Sequence, residues 1–111
     1  MPTEIVLLSD IEPTDELLKS AVGSLHPDGT FVSFRGGQIR QLLDRDGRAL
    51  LSVFPTRPVN EAREATASVA TAPASFGLWT DMTIPHGDDG RGREAAEAVA
   101  AAVGGAVTDR T

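Results

Sequence analysis

Apolar residues run almost unbroken from Ile5 to Leu8, between Glu4 and the polar pair Ser9-Asp10, which is the pattern of a short strand covered on both sides. A loop from Asp10 to Pro13 then leads into a stretch in which Leu17, Leu18, Ala21, Val22 and Leu25 fall on one stripe of a helix. Pro13 suits its first turn, where a missing N–H costs nothing, and Asp15 and Glu16 complement the positive end of the helix dipole. His26-Pro27-Asp28-Gly29 ends that helix as a turn. Three β-rich runs follow, Thr30 to Arg35, Gln38 to Leu43 and Arg48 to Phe54, separated by Gly36-Gly37 and by Asp44-Arg45-Asp46-Gly47. Two glycine-bearing turns between such runs predict an antiparallel meander, with Phe31 and Phe34 facing inward. One long strand kinked at Gly36-Gly37 and paired with the strand after Gly47 is the alternative.

Pro55 and Pro58 are expected to end this sheet region, since neither donates a ladder hydrogen bond. Residues 60–74 are small and weakly apolar, and Asn60 with Glu61 and Glu64 predicts a short helix followed by loop. Strict alternation returns from Phe76 to Ile84: Phe76, Leu78, Thr80, Met82 and Ile84 share one face, and Gly77, Trp79, Asp81 and Thr83 the other. After Pro85 and the polar loop His86-Gly87-Asp88-Asp89-Gly90, the period changes to that of a helix from Arg93 to Val103, with Ala96, Val99, Ala100 and Val103 as its buried stripe. Gly104 suits the left-handed position that stops a helix, and Ala106-Val107 adds a short last strand. These elements predict one α+β domain over residues 1–111. Its form is a two-layer sandwich: a mainly antiparallel sheet of about five strands, with two principal helices on one face and the other face at least partly exposed.

Composition narrows the setting. No apolar stretch approaches the roughly 18 residues that would cross a membrane, and the acidic N-terminal segment is not that of a signal peptide. Zero cysteines exclude a disulfide framework, a thiolate metal site and a cysteine nucleophile, so a cytoplasmic location is expected. Arg supplies nine of the ten basic residues, and with abundant Ala and Gly this usage is associated with GC-rich bacterial genomes. The formal net charge is −6, which repels nucleic acid and anionic lipid at long range and favours a basic partner. Charge is unevenly distributed: residues 1–34 carry −5, residues 35–63 carry +3 and residues 64–111 carry −4.

Candidate chemistry is sparse. With two His and no Tyr, acid–base work near neutral pH would fall to His26, His86 or a perturbed carboxylate. His26, in a turn before proline, reads as a surface residue. His86 follows a core strand, with Asp81, Asp88 and Asp89 near it in sequence, but the spacing matches no metal-ligand motif. Asp44 to Gly47 lacks the later ligands of a calcium loop and is a hairpin turn, and neither glycine pair has the context of a phosphate-binding loop. No cofactor or metal is therefore expected. Trp79 has two possible environments: an exposed anchor on the open sheet face beside Asp81, or packing across a neighbouring strand, over an Arg of the hairpin or under the segment 60–74.

The expectation that follows is a non-catalytic, small acidic binding protein of the immunity or antitoxin type, inhibiting a basic bacterial toxin domain. Its candidate contacts are Asp10, Glu12, Asp15, Glu16, Trp79, Asp81, Asp88 and Asp89. Two rivals stand beside it: a small enzyme or ligand-binding domain with its site at the strand end around His86, and a homodimer joined through the sheet face with Trp79 between subunits.

Overall fold

The computed structural model describes residues 3–59, 69, 76–85, 87 and 90–110. Among these, six strands form one sheet: β1 (Thr3–Ser9), β2 (Thr30–Phe34), β3 (Ile39–Leu43), β4 (Ala49–Pro58), β5 (Leu78–Ile84) and β6 (Ala106–Asp109). Helix α1 (Asp15–Leu25) joins β1 to β2, and helix α2 (Arg91–Val103) joins β5 to β6. Strand order is β2-β3-β4-β5-β1-β6, and every neighbouring pair is antiparallel. The α+β class with both helices on one sheet face is as the sequence predicts. Of residues 60–74, where a short helix followed by loop is expected, the structure describes Val69 alone, so that expectation lies outside the described residues.

The helices are framed by specific ends. Thr14 caps α1, its Oγ1 accepting the Leu17 N–H at 3.3 Å, so Pro13 sits one residue before the cap and not in the first turn. At the other end the His26 N–H bonds the Val22 carbonyl, and Pro27 cannot continue the helix. Leu18, Ala21 and Val22 of α1 are buried. Helix α2 begins two residues earlier than expected and buries Gly92, Ala95, Ala96, Val99, Ala100 and Val103. Gly104, at φ 65°, and the Gly105 N–H bonding back to the Ala100 carbonyl at 2.9 Å close it with a left-handed cap. Small side chains let α2 approach both the sheet and α1.

Between helices and sheet lies the main core, with Ile5, Leu7, Leu42, Leu51, Val53, Met82 and Ile84 from the strands. The opposite sheet face is partly covered too: Val6, Leu8 and Trp79 form a second cluster with Val69, and Val59 and Phe76 pack against it. Phe76 thus precedes β5 and packs on the face opposite to the one alternation assigns it. Similarly, Phe31 packs against the main core, whereas Phe34, three residues on and therefore on the other face, is 47% exposed.

The meander takes the hairpin form, its first turn built from Arg35, Gly36 and Gly37 at φ 52°, 66° and 93°. Pro55 does not end the sheet. Strand β4 runs on to Pro58 because its register with β5 shifts between Val53 and Thr56, so Pro55 sits within an irregularity where a ladder donor is not required. The turn after α1 approaches β3 so closely that a Cβ on Gly29 would lie 2.6 Å from the Leu43 carbonyl oxygen and 3.0 Å from that of His26. Replacing Gly29 by Ala is expected to cost about 1–3 kcal/mol, measured by chemical denaturation, because two backbone segments must separate to admit one methyl group. A variant as stable as the parent would show that the turn yields freely.

Candidate functional site

Asp10, Glu12, Asp15 and Glu16 are brought together by the loop from the end of β1 into the first turn of α1, and all four are exposed. The loop is held from several sides. Ser9 Oγ donates to the Ile11 carbonyl at 2.8 Å, and the Gly77 N–H donates to the Ser9 carbonyl at 3.2 Å. From beneath, Arg40 of β3 donates through Nη1 to the Pro13 carbonyl at 2.8 Å and to Asp15 Oδ1 at 3.3 Å. Arg40 is itself buried, because it shares the inward face of β3 with Leu42. Ile11, between Asp10 and Glu12, is 55% exposed. Asp10, Glu12 and Glu16 have no ion-pair partner among the described residues, whereas Asp15 is held by Arg40. The result is an ordered acidic loop with an apolar side chain at its crest. Neither Arg40 nor Ile11 stands out by composition. The parity of Arg40 with Leu42 and the placing of Ile11 between two acids are the signals that mark them.

Trp79 takes the packed of its two possible environments. Only 4% exposed, it lies on the sheet face away from the helices, across from Leu8 of β1 and Arg57 of β4. Its Nε1–H donates to Asp81 Oδ1 at 2.9 Å. Guanidinium groups of Arg57 and Arg110 lie 5.3 Å and 5.9 Å from the ring centroid. Arg110 also donates to Asp81 Oδ1 at 3.2 Å, and Arg57 stands 3.9 Å from Oδ2. Asp81 therefore serves the indole and two cations at once, a network that locks β4, β5 and the end of β6 together. The Arg residues involved are not those of the meander turns. Trp79 and Asp81 belong to this layer, while Asp15 and Glu16 belong to α1 on the other side of the sheet. Asp88, Asp89 and His86 lie outside the described residues.

A pocket of about 210 Å³ opens at the far end of α1, lined by His26, Asp28, Asp44, Arg45, Asp46 and Arg91 among others. His26 is half-buried and not a surface residue, since the Gly29 N–H bonds its carbonyl at 2.8 Å and draws the turn inward. Its Nε2 is buried and has no hydrogen-bond partner among the described residues. Asp44 closes the expected hairpin turn: Oδ1 accepts the N–H groups of Asp46 and Arg48, each at 2.9 Å, and Oδ2 accepts Arg91 Nη1 at 3.0 Å. The Gly47 N–H bonds the Asp44 carbonyl, with Gly47 at φ 81°. With both oxygens engaged, Asp44 is a structural tie between hairpin and helix and not a free base. Among the described residues no three His, Asp or Glu side chains converge as metal ligands. Comparison with family models, with curated proteins and with solved structures returns no significant match to this chain.

The Asp44 carboxyl is held below its ordinary value of 3.8, chiefly by the Arg48 N–H, against the opposing effect of burial and with further help from the Asp46 N–H and from Arg91. A carboxylate with a depressed folded-state pKa contributes stability that is fully present above its unfolded pKa and is lost as pH falls through the folded value. Asp44→Asn is therefore expected to be less stable than the parent at neutral pH and to lose less stability on acidification below about pH 4. Urea unfolding across that range measures both. Parallel curves for the two proteins would assign the acid sensitivity elsewhere.

Proposed function

We propose that this chain is a non-catalytic binding protein that docks a basic partner through the ordered acidic loop from Asp10 to Glu16. The observation that carries this reading is the combination at that loop: carboxylates on Asp10, Glu12 and Glu16 with no ion-pair partner among the described residues, an exposed Ile11, and a backbone clamped by Ser9, Gly77 and Arg40. Carboxylates on a protein of net charge −6 steer a cationic surface into contact, and an apolar side chain at the centre supplies area to desolvate. A loop already held in place gives up little conformational entropy on binding. This is the surface expected of an immunity or antitoxin-type inhibitor that covers the basic site of a toxin domain. Trp79 and Asp81, engaged with Arg57 and Arg110, support the sheet behind that surface and are not part of the contact we propose.

The test is stopped-flow association with a basic toxin domain encoded beside this chain. Reversing Asp10, Glu12 and Glu16 to Lys is expected to slow association by about tenfold or more at low salt, and added salt to narrow the gap. Ile11→Ser is expected to speed dissociation while leaving the association rate nearly unchanged. Failure to form a complex, or a complex indifferent to these substitutions, would overturn the reading.

A further inference from the structure

The two edges of the sheet are unlike. Strand β6 has four residues, ends on the charged Asp109 with Arg110 next to it, and is extended by an isolated antiparallel bridge between Val69 and Arg110. Charge and an added bridge are ordinary ways of protecting an edge from another chain. Strand β2, the other edge, has none of them: Thr30, Phe31, Val32, Ser33 and Phe34 contain no charge and no proline, and their register with β3 is regular. Its outer backbone groups have no strand to pair with among the described residues. Phe34 is also the most exposed aromatic residue in the structure's described part, on the same face as Val32.

The residues that flank β2 identify what fits it. Asp28 precedes the strand and Arg35 follows it, both are exposed, and neither has an ion-pair partner among the described residues. In an antiparallel pair the start of one strand meets the end of the other. A second copy turned about a two-fold axis through Val32 keeps both helical layers on the same side of a continuous sheet. Thr30 then lies across from the partner's Phe34, and Phe31 across from the partner's Ser33. Asp28 of each copy arrives beside Arg35 of the other, so the ion pair forms twice. Phe34, now exposed, packs against Thr30 and diagonally against Val32 of the partner. A parallel arrangement would set acid beside acid and base beside base.

We infer that β2 is a self-association edge, pairing antiparallel with the β2 of a second copy through Val32, with Asp28 and Arg35 selecting the register. This inference does not rest on the acidic loop, which lies at the opposite end of α1 from Asp28. Each subunit carries −6, so the attraction is local and has to outweigh a long-range repulsion. A five-residue edge is a small interface, and the dimer is accordingly concentration-dependent.

Sedimentation equilibrium from micromolar to millimolar concentration is the first measurement, paired with hydrogen exchange of the Thr30–Phe34 amides at both extremes. The wild type is expected to dimerise with concentration, and the β2 amides to become protected with it. Asp28→Arg or Arg35→Asp alone is expected to weaken the dimer by about tenfold, since each turns two attractive pairs into repulsive ones, and the double exchange to restore it. Asp is tolerated at the positive φ of Arg35, so that variant tests charge and not backbone strain. Val32→Lys, folded by circular dichroism, is expected to be monomeric throughout. A wild type that stays monomeric, a dimer whose β2 amides exchange as freely as the monomer's, or a dimer untouched by Val32→Lys would overturn the inference. Pairing of this edge only with a strand from a different protein would overturn it as well.

Discussion

Strand β1 is the constraint around which the rest of the domain is arranged. Residues Ile5 to Ser9 are all buried, so a single short strand needs cover on both faces and neighbours on both edges. The neighbours are β5 and β6, and the cover on one side is α2 with the α1 layer beside it. On the other side it is the layer of Trp79, Val69, Val59 and Phe76 over Val6 and Leu8. Burying apolar side chains on both faces contributes about 1.5–3 kcal/mol for each large one, which is why a strand of this composition is found inside the sheet and not at its rim. Everything at the acidic end, including the turn into α1, is positioned by where β1 stops.

Two ionic ties, each with one buried and one more exposed partner, complement this apolar scaffold. Arg40 crosses from β3 to the loop ahead of α1, and Arg91 crosses from α2 to Asp44 in the β3–β4 turn. Each joins a helix end to the sheet, at opposite ends of the helical layer. Neither is a bare ion pair. Arg40 also satisfies the Pro13 carbonyl, and Asp44 also satisfies two backbone N–H groups, so the desolvation of each charge is offset by hydrogen bonds that would otherwise be missing. The sheet's second face uses a different solution, in which Asp81 contacts both Arg57 and Arg110 while fixing the indole they lie against.

Much of the fold is legible in local pattern. The helical stripe of Leu18, Ala21 and Val22, the alternation of Thr80, Met82 and Ile84, and the glycine at position 104 each follow from one residue's neighbours along the chain. What was not legible depends on partners distant in sequence. Pro55 ends a strand by its own chemistry, yet here a register shift against β5 carries β4 past it. His26 reads as a surface turn residue, and only the close approach of Gly29 to Leu43 explains why it is drawn inward. The acidic residues 10–16 could be identified one by one, but that Arg40 would rise beneath them to hold Asp15 and the Pro13 carbonyl is a fact of tertiary structure. Trp79 is a partial case: alternation gives its face, and cover by the segment 60–74 is one of its two readings, whereas the identity of the cations beside it, Arg57 and Arg110, depends on tertiary structure.

The place of β1 also dictates an order of assembly. The hairpins of β2, β3 and β4 join strands adjacent in the chain and close with short loops. By contrast Ile5 pairs with Met82 on one edge and with Asp109 on the other, so the most apolar strand has both its partners far downstream. On a ribosome the meander can form while β1 waits, with Ile5, Val6, Leu7 and Leu8 lacking their final cover until α2 and β6 have emerged. That interval is when the chain is most exposed to aggregation and to chaperones, and a stall or nick ahead of β6 leaves an apolar strand open along one edge.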